Sequence, residues 1–140
     1  MQLREIMTRD IEAIPVDATL QEAARKMAMR DVGFLPVVEN DLPVGVVTDR
    51  DIVTRSVARG DDPRQTPVRR AMTPEVETMM EDESVEEAAQ RMREKQIRRL
   101  LVEDINRRIV GVATLGDLAL EVPDAQLKGQ TLEQVSQAPR

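Results

Sequence analysis

The chain repeats itself. A shift of 65 residues lays Met7-Thr8 on Met72-Thr73, Asp17 on Asp82, Glu22-Ala23-Ala24 on Glu87-Ala88-Ala89, Leu35 on Leu100 and Val37 on Val102. From Val44 onward the shift is 66, and Val44-Gly45-Val46 falls on Val110-Gly111-Val112. The extra residue lies between Val102 and Val110, opposite the polar stretch Glu39-Asn40-Asp41-Leu42-Pro43. Both stretches read as hairpin loops, where an insertion costs little. A duplication of this length constrains the fold more than any local signal, because what one copy forms the other must form too.

Each copy carries the same local pattern. Residues 10–15 and 75–80 are short, mixed runs that predict edge strands. A helix follows. Thr19-x-x-Glu22 is a capping box ahead of Leu20, Ala23, Ala24 and Met27, and Ser84-x-x-Glu87 precedes Val85, Ala88, Ala89 and Met92. Gly33 is read as the stop of the first helix. Two strands come next, over 34–38 and 44–48 in the first copy and 100–103 and 109–114 in the second. A closing helix is predicted from Asp49 to Arg59, with Ile52, Val53, Ser56 and Val57 on one face. Its counterpart is shorter, from Leu115 to Glu121, and stops before Pro123.

The fold class is therefore α/β in the α+β sense: two β-α-β-β-α repeats, over 1–62 and 63–122, with a polar tail over 123–140. One copy has about three strands, too few to cover its own sheet. Packing the two copies sheet to sheet about a pseudo-twofold axis supplies the cover, and together they make one domain.

Composition narrows the function. The chain has no cysteine and no histidine, so the commonest zinc ligands, thiolate chemistry and the usual neutral-pH general base are missing. A net charge of −6 disfavours nucleic acid. Phe34 is the single aromatic residue, so there is no stacking platform for bases, and the core is aliphatic with methionine as filler. No apolar run approaches a membrane span, and no secretory leader is evident; the expectation is a cytoplasmic protein. No metal site, catalytic dyad or Walker-type loop is recognisable, and the chain is read as a non-enzyme.

The stretch with chemistry in it is Thr48-x-x-Asp51, repeated as Thr114-x-x-Asp117. A threonine followed three residues later by an acid starts a helix, each group satisfying an orphan N–H. Whether the pair is only a cap, or a cap that also binds a ligand, is open at this point.

The Met-Thr start, the runs Gly-Phe-Leu-Pro-Val-Val and Arg-Arg-Leu-Leu-Val, and Val-Gly-Val-x-Thr-x-x-Asp resemble the CBS domain. This domain is named for cystathionine β-synthase and commonly occurs as a tandem pair, the Bateman module. Copy two departs from the pattern with Leu101 in place of the proline found at Pro36. The chain looks like a stand-alone CBS pair. The resemblance implies a regulatory module for adenosine-containing ligands: AMP, ADP or ATP, and less often S-adenosylmethionine or NAD. No cofactor is required.

In that family the aspartate accepts from both ribose hydroxyls and the threonine contacts phosphate. A vicinal diol offers two donors that one carboxylate can accept. The family pattern further implies that each cleft joins the motif of one copy to the strand entry of the other. Thr48 and Asp51 would then look across at Ile97-Arg98-Arg99, and Thr114 and Asp117 at Val32-Gly33-Phe34. On that reading the arginine-bearing cleft is the better nucleotide site. The resemblance also implies a homodimer formed through the helices, and an unidentified protein that is regulated. The competing reading is a structural dimerisation module whose clefts stay empty.

Overall fold

The computed structural model describes residues 1–74 and 76–121, with the side chains of residues 120 and 121 left aside. The described residues are mixed α+β, with two small sheets and four α-helices among them. It divides into two compact units.

One unit spans Glu12–Val76. Its sheet has the order β1 (Ile14–Pro15), β2 (Phe34–Glu39), β3 (Leu42–Thr48), β4 (Thr73–Pro74). β1 runs parallel to β2, and the other two pairings are antiparallel. Helix α1 (Leu20–Arg30) turns Leu20, Ala23 and Met27 inward onto Leu35, Val37 and Val47. Burying an aliphatic side chain of this size contributes about 1.5–3 kcal/mol, so this stripe is what holds the helix on its sheet. Helix α2 (Asp49–Arg55) adds Ile52.

The other unit joins Met1–Ile11 to the chain from Glu77 onward. Its sheet is β5 (Thr78–Met80), β6 (Arg99–Glu103), β7 (Ile109–Thr114). Helix α3 (Val85–Lys95) buries Val85, Ala88, Ala89 and Met92, and α4 (Leu115–Glu121) adds Leu118. The register of β6 on β7 repeats that of β2 on β3, bulge included: Val44 and Val110 are the residues skipped by the partner strand.

The units are not the sequence repeats. The opening segment of each copy is built into the unit of the other copy. Leu3 is fully buried with Val85, Met92 and Leu100, whereas its counterpart Val68 is buried with Leu20, Leu35 and Val37. The backbone repeats the exchange: Leu3 N–H donates to Glu83 at 2.9 Å, and Val68 N–H to Ala18 at 2.8 Å. Thr8 exchanges two backbone bonds with Val112, and Thr73 pairs with Val46.

This docking explains the glycine in each Val-Gly-Val. A Cβ on Gly45 would lie 2.6 Å from the Thr73 carbonyl oxygen. One on Gly111 would lie 2.6 Å from Met7 Sδ and 2.9 Å from the Thr8 oxygen. Both separations are inside contact distance, so only glycine lets the arm reach the strand.

Three local expectations are corrected. Gly33 does not stop α1: Asp31 does, in the left-handed conformation (φ 53°), its N–H donating to Met27. Gln96 does the same after α3 (φ 54°), and Gly60 is the one glycine with positive φ among the described residues. The first helix of the second copy has only the hydroxyl arm of its box, Ser84 Oγ accepting from Glu87 N–H at 3.1 Å. Thr19 and Glu22 bond in both directions.

The helix expected over 49–59 is also interrupted. It leaves α geometry at Ser56, and Val57–Arg59 form a 3-10 turn. Ser56 is buried, with its hydroxyl donating to Asp61 Oδ2 at 3.0 Å. That bond and Asp61 N–H to the Ser56 carbonyl fold the chain back on itself. The apolar face therefore divides: Ile52 is buried, while Val53 and Val57 stay more than half exposed.

The strands expected over 34–38, 44–48, 100–103 and 109–114 are present with ends moved by at most two residues, whereas the edge strands expected over 10–15 and 75–80 are the shorter Ile14–Pro15 and Thr78–Met80. The polar tail lies outside the described residues.

Candidate functional site

Each unit has one junction where a strand runs directly into an α-helix, β3 into α2 and β7 into α4. At the first, Thr48 Oγ1 accepts from Asp51 N–H at 3.0 Å, and Asp51 Oδ2 accepts from Thr48 N–H at 3.0 Å. At the second, Thr114 Oγ1 accepts from Asp117 N–H at 3.1 Å, and Asp117 Oδ2 accepts from Thr114 N–H at 2.9 Å. Both motifs are therefore true capping boxes. The reciprocal bonds lock each aspartate rotamer and employ Oδ2. Asp51 Oδ1 has Arg55 Nε at 3.7 Å one turn further on, and the Asp51 side chain is 15% exposed.

A second bond fixes each junction to the preceding strand. Asp49 N–H donates to the Gly33 carbonyl at 2.9 Å, and Leu115 N–H to the Arg98 carbonyl at 2.8 Å. Directly across the ladder, Phe34 faces Thr48 and Arg99 faces Thr114. Directly paired residues project to the same sheet face with Cβ atoms about 4.5–5.5 Å apart. Within their own units, then, Gly33 stands with Thr48 and Asp51, while Arg98 and Arg99 stand with Thr114 and Asp117. Both arginines are exposed.

The two junctions thus share a backbone and differ in charge. The first holds Asp49, Arg50, Asp51 and Arg55, two charges of each sign. The second holds Arg98, Arg99 and Asp117, one positive charge in excess. The Asp49 carboxylate lies over Gly33, with its oxygens 3.2 and 3.4 Å from where a Cβ would stand. Its Oδ1 accepts from Arg50 N–H at 2.8 Å. Sequence reasoning passed over Asp49 as an ordinary helix opener; the signal was Leu115 at the matching position.

Glu103 was also passed over. It is buried at the far end of β6, with Oε2 lacking a hydrogen-bond partner, where the first copy has Val38. Among the described residues no acidic group of three or more is arranged to hold a metal ion. No helix among them is long and apolar enough to cross a membrane.

The CBS domain family matches this chain over residues 3–58 and again over 68–124. The CBS domain-containing protein YhcV of Bacillus subtilis is 39% identical over 134 residues, covering 96% of this chain and 94% of the relative. Among solved structures, the CBS domain protein PAE2072 from Pyrobaculum aerophilum, complexed with AMP, is 28% identical with a TM-score of 0.73. That likeness covers 99% of this chain and 100% of the other. The CBS domain pair of protein MJ0100, in complex with 5-methylthioadenosine and S-adenosyl-L-methionine, is 26% identical with a TM-score of 0.72. It covers 86% of this chain and 94% of the other. The duplication, the β-α-β-β-α order and the repeated Thr-x-x-Asp junction have one explanation: this chain belongs to the CBS domain family and carries two copies of the domain.

Proposed function

We propose that the protein is a non-catalytic regulatory module that binds an adenosine-containing ligand, of the AMP, ADP or ATP class, through its Thr-x-x-Asp junctions. Asp51 and Asp117 accept the ribose hydroxyls, Thr48 and Thr114 contact phosphate, and Gly33 admits the ligand close to the backbone. Arg98 and Arg99 supply positive charge for a phosphate.

The observation that supports this most is the pair of locked carboxylates. Each aspartate is held by two bonds that leave it one oxygen beyond its cap. A diol needs an acceptor that is already oriented. Relatives of the same fold have been solved with AMP, and with 5-methylthioadenosine and S-adenosyl-L-methionine. Ligand binding then acts by favouring one conformation or assembly over another.

The test is a thermal-shift series with AMP, ADP, ATP, S-adenosylmethionine and NAD, with Asp51→Asn and Asp117→Asn beside the parent. Ligand at 100 times Kd stabilises by about 2.7 kcal/mol. Loss of that stabilisation in either variant supports the reading, and no shift with any ligand at millimolar concentration refutes it.

One observation favours the structural alternative. The boxes satisfy their own N–H groups, so the junctions are complete without a ligand. On either reading the chain forms a homodimer through its helices. The exposed Val53, Val57 and Met29 support that, and a monomeric mass in light scattering would refute it.

A further inference from the structure

We propose that Met72 is an oxidation site: a peroxide converts its thioether to the sulfoxide, and the sulfoxide loosens the segment 71–74 from strand β3. This holds whether or not the junctions take a ligand.

The composition leaves an oxidant little choice. The chain has eight methionines and no cysteine, histidine, tryptophan or tyrosine. Peroxide chemistry therefore falls on methionine sulfur. The sulfur gives an electron pair to one peroxide oxygen, the S–O bond forms and the O–O bond breaks. The other oxygen takes up the proton of the first and leaves as water. An apolar thioether thereby becomes a polar hydrogen-bond acceptor.

Exposure and packing separate the methionines. Met29 and Met1 are 84% and 54% exposed, whereas Met7, Met27, Met79 and Met92 are buried. Met72 and Met80 are half-buried. The Met72 sulfur lies over Gly45, 3.1 Å from where a Cβ would stand, and its side chain packs against the core of its unit. Thr73 and Pro74 beside it are exposed. A sulfoxide oxygen left on that backbone and aliphatic surface is short of donors, and reaching water takes the sulfur off Gly45. Little else holds the segment. Thr73 and Pro74 pair with Val46 and Gly45, and proline brings no N–H to the ladder. Arg55 Nη1 donates to the Met72 carbonyl at 3.1 Å.

The counterpart is protected. Met7 has its sulfur 2.6 Å from where a Gly111 Cβ would stand, and it is buried. Its segment is held by the fully buried Leu3 and by two backbone bonds between Thr8 and Val112. The same methionine-on-glycine contact is thus open to an oxidant in one unit and closed in the other.

The experiment treats the native chain with graded hydrogen peroxide and maps sulfoxide by peptide mass spectrometry. Met29 and Met1 are expected to react first and Met72 next, about tenfold faster than Met7. As Met72 reacts, deuterium uptake over 42–48 and 71–74 should become about tenfold faster. Methionine sulfoxide reductases acting on both epimers should reverse it. Met72→Leu keeps an apolar side chain of similar volume and should abolish the rise, whereas Met29→Leu should retain it. Protection of Met72 to the level of Met7 overturns the proposal, as does a Met72 sulfoxide whose deuterium uptake matches that of the untreated chain. A rise that persists in Met72→Leu overturns it too, and points to Met80. If Met72→Leu fails to fold, mapping and exchange on the native chain decide the matter.

Discussion

The Thr48–Asp51 and Thr114–Asp117 junctions are the same object built twice and surrounded differently. Each has the same reciprocal cap, with all four bonds between 2.9 and 3.1 Å, and the same tie back to its strand start. The first is bordered by Gly33, Phe34 and Asp49, the second by Arg98, Arg99 and Leu115. Backbone geometry is thus the same at both junctions, while the charges around them differ. The difference teaches that the repeat identifies the site but not its preference.

The comparison can be broken most severely in the core. Leu35→Ala and Leu100→Ala remove equivalent, almost fully buried side chains, and each should cost about 3 kcal/mol in urea unfolding. A cost confined to one variant would show that the two units do not share the work equally. Gly45→Ala and Gly111→Ala test the docked arms, with an expected loss of about 2 kcal/mol each. Gly45→Ala should be the worse, because its nearest neighbour is a backbone carbonyl whereas Gly111 first meets a flexible methionine. Equal losses would mean that the arm moves as a whole.

Smaller effects sharpen the picture at the caps. Thr48→Ala and Thr114→Ala should each lower stability by about 1 kcal/mol through the lost box. Any further loss of ligand-induced stabilisation separates binding from capping. In the opposite direction, Gln96→Gly relieves a left-handed residue and should stabilise by up to about 1 kcal/mol, and Asp31→Gly by less, since aspartate tolerates that conformation better. A destabilised Gln96→Gly would mean that its side chain does more than close the helix.

The pH dependence probes the first unit only. Arg70 and Ser56 hydrogen bonds hold the Asp61 carboxyl below its usual range. A carboxyl lowered by folding contributes stability above its ordinary pKa, and that contribution is lost as pH falls through the folded value. Stability should therefore fall below about pH 4, and Asp61→Asn should flatten that part of the profile in acid titration monitored by circular dichroism. A profile identical to the parent's would show that other carboxylates carry the acid response.

Much of this was legible in the chain. The 65-residue repeat, the α1 and α3 stripes, the Thr19 and Thr48 boxes and the order of strands all rest on contacts within a few residues, or on a period that the helix and strand impose. The stop of the first helix was misread because glycine is the usual left-handed residue, and here Asp31 adopts that conformation. The break at Ser56 was invisible because the helical spacing continues through it. What ends the helix is a side-chain bond to Asp61, five residues on.

By itself the sequence determined that there are two β-α-β-β-α copies and that each offers a threonine and an aspartate at one strand-to-helix junction. The tertiary structure decided which segments belong together: Leu3 with the second copy, Val68 with the first, Asp49 over Gly33, Arg99 beside Thr114. The reason is physical. Caps and periodicities are directional and local, so they can be read from spacing. Hydrophobic burial is neither, and Leu3 and Val68, equivalent and equally apolar, carry no mark of which core will take them.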